Sequence, residues 1–168
     1  MNSPRAFDRA YLAWVTLTLL RDRERSYPER VADGRMTQAA ADASLAVSRA
    51  IVAQWRWAID PALSPLPVEQ DAEGHFGATE PDMLAQLITL ATWARGHAAQ
   101  APDDRLRAHD ADLYEALAWW QGSDGDCPRI VLFGLIDRRN PVVRWTPSPE
   151  DEPILRAFGL IEQRAKAA

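Results

Sequence analysis

A chain of 168 residues that is 47% hydrophobic and 26% charged is one domain by size, and its apolar content excludes wholesale disorder. The formal charge of −5 argues against a generic binder of phosphate backbones, which needs an unopposed basic face. The single cysteine, Cys127, excludes an intrachain disulfide. With no second Cys or His at ligand spacing, it also excludes a cysteine-based zinc site.

The first helix is expected from Ser3, a cap residue followed by Pro4 at the favoured first position. Phe7, Ala10, Tyr11, Trp14 and Thr18 follow one helical stripe, and Leu12, Val15 and Leu19 a neighbouring one. The apolar run from Ala10 to Leu20 is too short to span a bilayer. The residues before it lack the pattern of a signal peptide. With the cysteine usage, this predicts a cytoplasmic protein without membrane contact. The helix is expected to end in the alternating charges of Arg21 to Arg25.

Ser26-Tyr27-Pro28-Glu29 has the form of a capping box, predicting a separate short helix to Asp33 with Gly34 as its left-handed stop. Thr37 is the cap expected for the next helix, which reads to Asp60 and stops at Pro61. Its buried stripe is Ala41, Leu45, Ser48, Val52, Trp55 and Ile59, flanked by Val47 and Ile51. Residues 1–60 therefore predict an N-terminal helical hairpin packed antiparallel. Residues 61–79 have no period and hold Pro61, Pro65, Pro67, Gly74 and Gly77, the composition of a loop or linker.

Thr79-Glu80-Pro81-Asp82 opens a further helix with the stripe Leu84, Leu87, Ile88, Ala91, Ala94 and Ala98. Pro102-Asp103-Asp104 opens another, with Leu106, Leu113, Leu117 and Trp120 inward and Gly122 at its end. The β-branched run from Arg129 to Ile136 fits a buried strand or a buried helix. As a strand it would pair with Val142–Thr146 in a small β-hairpin at 129–146, held to an edge by Pro141. Pro149 to Lys166 reads as a final helix with Ile154, Phe158 and Ile161 inward. The fold class expected is mainly α: a single domain over 1–168, a bundle of about five helices.

Seven tryptophans are the compositional outlier. Trp55 and Trp57 stand about 200° apart on one helix and Trp119 and Trp120 about 100° apart, so neither pair fits one narrow core stripe. Trp is enriched at interface anchors, which nominates Trp57 and Trp119, with their neighbours Trp55 and Trp120, as partner-binding residues. Arg21 and Arg25, with Arg138 and Arg139, offer Arg-rich edges for a nucleic-acid accessory role, the second reading. His109 and Asp112 share a helix face and suggest a third, a metal-dependent enzyme, but no complete ligand set is present and neither metal nor cofactor is expected. Asp124-Gly125-Asp126 reads as a turn, since the alternating ligands of a calcium loop are missing. No phosphate-binding glycine motif or nucleophile elbow occurs.

Tyr27-Pro28, Val31, Gly34, Met36-Thr37, Ala41-Asp42, Leu45 and Ala50-Ile51 together resemble a segment of small phage- and prophage-encoded proteins of proteobacteria. In that group a charged pair often follows Ala-Asp; here Ala43-Ser44 stand there. The resemblance implies a mobile-element setting and no catalytic residues. The expectation from all of this is a non-enzymatic module that binds a protein partner or its own copy, with an accessory or inhibitory role toward a host protein.

Overall fold

The computed structural model describes residues 5–70, 73–123 and 127–161. Among these are six helices: α1 (Arg9–Ala32), α2 (Gln38–Ala58), α3 (Glu80–Ala99), α4 (Arg105–Gln121), α5 (Arg129–Arg139) and α6 (Glu152–Ala157), the last entered through a 3-10 turn at Pro149–Asp151. No strand occurs among the described residues.

Capping side chains set the starts of the four long helices. Asp8 accepts from the Tyr11 amide at 3.0 Å, Thr37 from Ala40 at 3.1 Å and Thr79 from Asp82 at 3.2 Å. Asp104 accepts from both Leu106 and Arg107. Each bond satisfies an amide that a helix N-terminus otherwise leaves without a partner. Ser3 and Pro4, expected to open the first helix, lie outside the described residues.

The separate short helix expected from Ser26 is absent; α1 runs unbroken through Pro28 to Ala32. Proline within a helix removes one backbone bond and costs about 3 kcal/mol. The neighbouring side chain offsets this: Tyr27 is buried and its hydroxyl meets Ser44 Oγ at 2.9 Å, fixing the turn against α2. The stop is as expected. Gly34, at φ 70°, lets the Arg35 amide reach back to the Arg30 carbonyl at 2.9 Å.

Arg23 meets Ser48 and, one turn further along α1, Tyr27 meets Ser44 one turn earlier on α2. That opposite progression makes α1 and α2 an antiparallel pair. Helices α3 and α4 form the second pair, joined by Arg95, which binds Asp112 and Glu115 at 2.6 Å. At its far end Ala94, Ala98 and Ala111 form a small separate cluster whose short side chains allow close approach. The main core draws on every helix, with Leu12, Trp55, Met83, Leu117, Ile130 and Leu155 among its buried members.

Of the two readings of 129–136, strand or buried helix, the helix holds as α5, and the β-hairpin possible at 129–146 gives way to α5 and an irregular segment. Ile130, Val131, Gly134 and Asp137 are its buried residues, a spacing that follows a helix and not a strand. The apolar residues alone hid this period. Gly134 and Asp137, a glycine and a charge, carry it. In the final segment α6 ends at Ala157 and Gly159 turns the chain at φ 65°, while residues 162–166 of the expected helix lie outside the described residues. Ile154, Phe158 and Ile161 do join the core.

Candidate functional site

Three of the four tryptophans nominated as partner-binding are core residues. Trp55 is completely buried, with its ring edge-on to Trp120 at 6.2 Å between centroids. Trp120 is buried too and donates its indole N–H to the Ala6 carbonyl at 3.0 Å. Trp57, expected to point outward, is only 5% exposed. The 200° between Trp55 and Trp57 does separate them, but α2 is central: α1 and α3 cover one side and α5 another. Near Trp57 the outward face of α2 is carried by Ala53 and Arg56, and Trp57 itself turns inward.

Trp57 is held from every direction. Its indole N–H points at the carbonyls of Ser64 and Pro65, at 3.0 and 3.1 Å. The Arg138 guanidinium lies 3.9 Å from its ring centre, a cation–π stack. A Cβ placed on Gly134 would come within 2.5 Å of the ring, so only glycine allows this approach. Arg138 then donates to the carbonyls of Ser64, Gly134 and Trp57. Burial pulls its pKa down, with Asp60 and Asp137 acting against that. Asp60 organises the start of the loop, accepting from the amides of Ala62 and Ser64 and from the Ser64 hydroxyl. Burial pushes its carboxyl up, but these bonds and Arg138 outweigh burial and hold it below the usual carboxylate range.

An aromatic surface does exist, one layer out from Trp120. Phe7 is 63% exposed and stands edge-on to Trp119 at 5.8 Å and to Trp120 at 6.4 Å. Phe133, on α5, packs edge-on to Trp120 at 5.3 Å and is still 37% exposed. Trp119 is half-buried, edge-on to Trp120 at 5.2 Å, with the Arg129 guanidinium 4.7 Å from its ring. Arg129 also donates to the Trp119 and Gly122 carbonyls, capping the end of α4. Arg129, Phe133 and Ile136 recur at helical spacing along the outer side of α5, so they present one continuous stripe. Beneath it the buried pair Arg9–Asp137 ties α1 to α5. Arg9 lies 5.3 Å from the Phe133 ring and 5.7 Å from that of Trp120. Asp137 also accepts from the Trp145 amide at 3.0 Å.

Of the four tryptophans, only Trp119 reaches this face. Phe7 and Phe133 carry most of its exposed area, and neither stood out in the sequence. Phe7 fell on a stripe read as buried, and Phe133 lay inside a run whose period was invisible.

The arginine edges do not merge. Arg138 is committed to carbonyls and to Trp57, whereas Arg139 is exposed. Arg25 is paired with Asp22 at 2.5 Å, and the Arg21 guanidinium sits 5.7 Å from the Trp14 ring. Arg21 is twelve residues, about 18 Å of helix, beyond Arg9, where α1 meets α5. Asp112, a proposed metal ligand, is held by Arg95 together with Glu115; these two carboxylates raise the Arg95 pKa. His109 lies beside Tyr11, 6.5 Å between ring centres. No group of three metal-ligating side chains occurs among the described residues, and none of their helices is long and apolar enough to cross a membrane.

Neither a family model nor a curated protein nor a solved structure matches this chain.

Proposed function

We propose that this protein is a non-enzymatic interaction module that binds a host protein through the face formed by Phe7, Trp119 and Phe133, in keeping with an accessory or inhibitory role for a mobile element. The observation that carries this reading is Phe7: a large aromatic, 63% exposed, braced edge-on against two tryptophans. A rigid aromatic with its apolar surface in water loses little conformational freedom on binding and gains by desolvation. The formal charge of −5 favours encounter with a partner whose surface is basic. The phage-like pattern at Tyr27-Pro28 to Ala50-Ile51 suggests the setting in which such a target is met.

The test is affinity capture from the native host with wild-type protein, Phe7→Asp and Ile88→Asp, alongside sedimentation velocity of each. A specific protein retained by wild type and Ile88→Asp but lost with Phe7→Asp supports the reading. Capture unchanged by Phe7→Asp, or no capture from a wild-type protein that also stays monomeric, overturns it.

A further inference from the structure

Along the other half of the α1–α2 pair lies an open groove of about 630 Å³, walled by α1 and α3 and floored by Ser44 of α2. At its base is Arg23, half-buried. Its Nη1 donates to Ser48 Oγ at 2.6 Å, and among the described residues no carboxylate pairs with it. Other arginines withdrawn from solvent are compensated: buried Arg9 by Asp137, and half-buried Arg95 and Arg138 by two carboxylates and by three carbonyls. A guanidinium carries five N–H donors in a fixed fork that matches a carboxylate. Desolvation lowers the pKa of Arg23, with Tyr27 and Tyr114 opposing that, so a site that costs free energy to keep charged stands ready for an anion.

The other charges in the groove do not cancel this one. Asp22 turns to Arg25 at 2.5 Å. Arg30 also lines the groove and adds a second cation, 5.9 Å from the Tyr27 ring. The Ser44 and Ser48 hydroxyls are occupied by Tyr27, Gln86 and each other's turn of α2, which orders the floor. Leu19, Ala85 and Leu90 give the walls an apolar strip, beside the polar Ser26, Gln86 and Thr89. Trp93, 58% exposed, also lines the groove, with the His97 ring tilted 43° against it at 4.3 Å between centroids.

We propose that this groove binds a small organic monocarboxylate: an acid whose carboxylate meets Arg23 and whose apolar or aromatic body lies along Leu90 against Trp93. One half-buried cation beside Leu19, Leu90 and Trp93, with Arg30 exposed on the same groove, suits a carboxylate on a hydrophobic frame, and phosphate is the competing anion that the titration includes.

Calorimetric titration with indole-3-acetate, 4-phenylbutyrate and octanoate, each beside its uncharged amide, and with inorganic phosphate, tests this. Saturable one-to-one binding of at least one acid is expected, with its amide and the Arg23→Gln variant each weaker by about tenfold or more. Arg23→Gln alters the packing of α1, so two exposed positions serve as independent probes. Thr89→Glu, which sets a like charge at the groove wall, should abolish acid binding, and Trp93→Ala should weaken it, both with unchanged melting temperature. Phe7→Asp, at the aromatic face, should leave it unaltered. The proposal is overturned if no acid saturates at millimolar concentration, if amides or phosphate bind as well as the acids, or if Thr89→Glu and Trp93→Ala have no effect.

Discussion

The two halves of α2 face opposite problems and solve them differently. At its C-terminal end Gln54, Trp55, Trp57, Ala58 and the cap residue Ile59 are buried while Arg56 is exposed, and the charges around this end are matched: Arg138 caps three carbonyls over Trp57, and Arg9 meets Asp137. Its N-terminal half offers Ser44 and Ser48, which build a polar floor under an open groove with an arginine lacking a carboxylate. Large aromatic residues closed one end of the bundle, and small hydroxylic ones left the other open. The lesson is that tryptophan abundance alone does not separate core from surface: Trp55, Trp57 and Trp120 are buried, whereas Trp93 is 58% exposed.

The largest effect expected at the closed end is from Asp137→Ala. It strands a buried Arg9 and frees the Trp145 amide, and breaking a buried pair from one side costs about 3–5 kcal/mol. Denaturant unfolding measures this; a loss under 1 kcal/mol would mean that the pair is solvated. Gly134→Ala comes next. Its Cβ would press on Trp57 at a position where the helix itself would welcome alanine. A loss of about 1–3 kcal/mol from overpacking is expected, and the same substitution at Gly96, which meets nothing within 4 Å, should be neutral or stabilising. If both glycines behave alike, the tight closure around Trp57 is refuted.

Asp60 gives the smallest and most specific effect. Its pKa is depressed, so the folded protein takes up this proton later than the unfolded chain. Its contribution is therefore complete above the ordinary carboxylate range near about pH 4 and is lost as the pH falls through its lowered value. Asp60→Asn should lower stability at neutral pH and flatten the acid limb of the stability profile. An unchanged acid limb would separate Asp60 from the Trp57 assembly.

How much of this was legible follows from what kind of signal each feature leaves. Thr37, Thr79, Gly34 and Gly122 marked helix ends correctly because capping is a local interaction between a side chain and the next turn. Pro28 misled because its tolerance depends on Tyr27 bonding to Ser44 seventeen residues away. Helix α5 was hidden because its apolar residues surround it, and its period lies in Gly134 and Asp137, whose partners Trp57 and Arg9 are distant in sequence. Trp57 was misplaced for the same reason: a helical wheel reports angles, not how many neighbours a central helix has. Phe7 read as a buried stripe residue and Arg23 as part of an alternating charged end, since exposure and the lack of a counter-charge are properties of the assembled bundle.

The central claim is that Phe7 marks the surface where a partner docks. Replacing Phe7 with a photocrosslinking phenylalanine analogue, and Trp93 with the same analogue in a parallel sample, tests it in the native host. One discrete protein adduct from position 7, absent from position 93, is the predicted result. No adduct from position 7, or the same adducts from both positions, would contradict it.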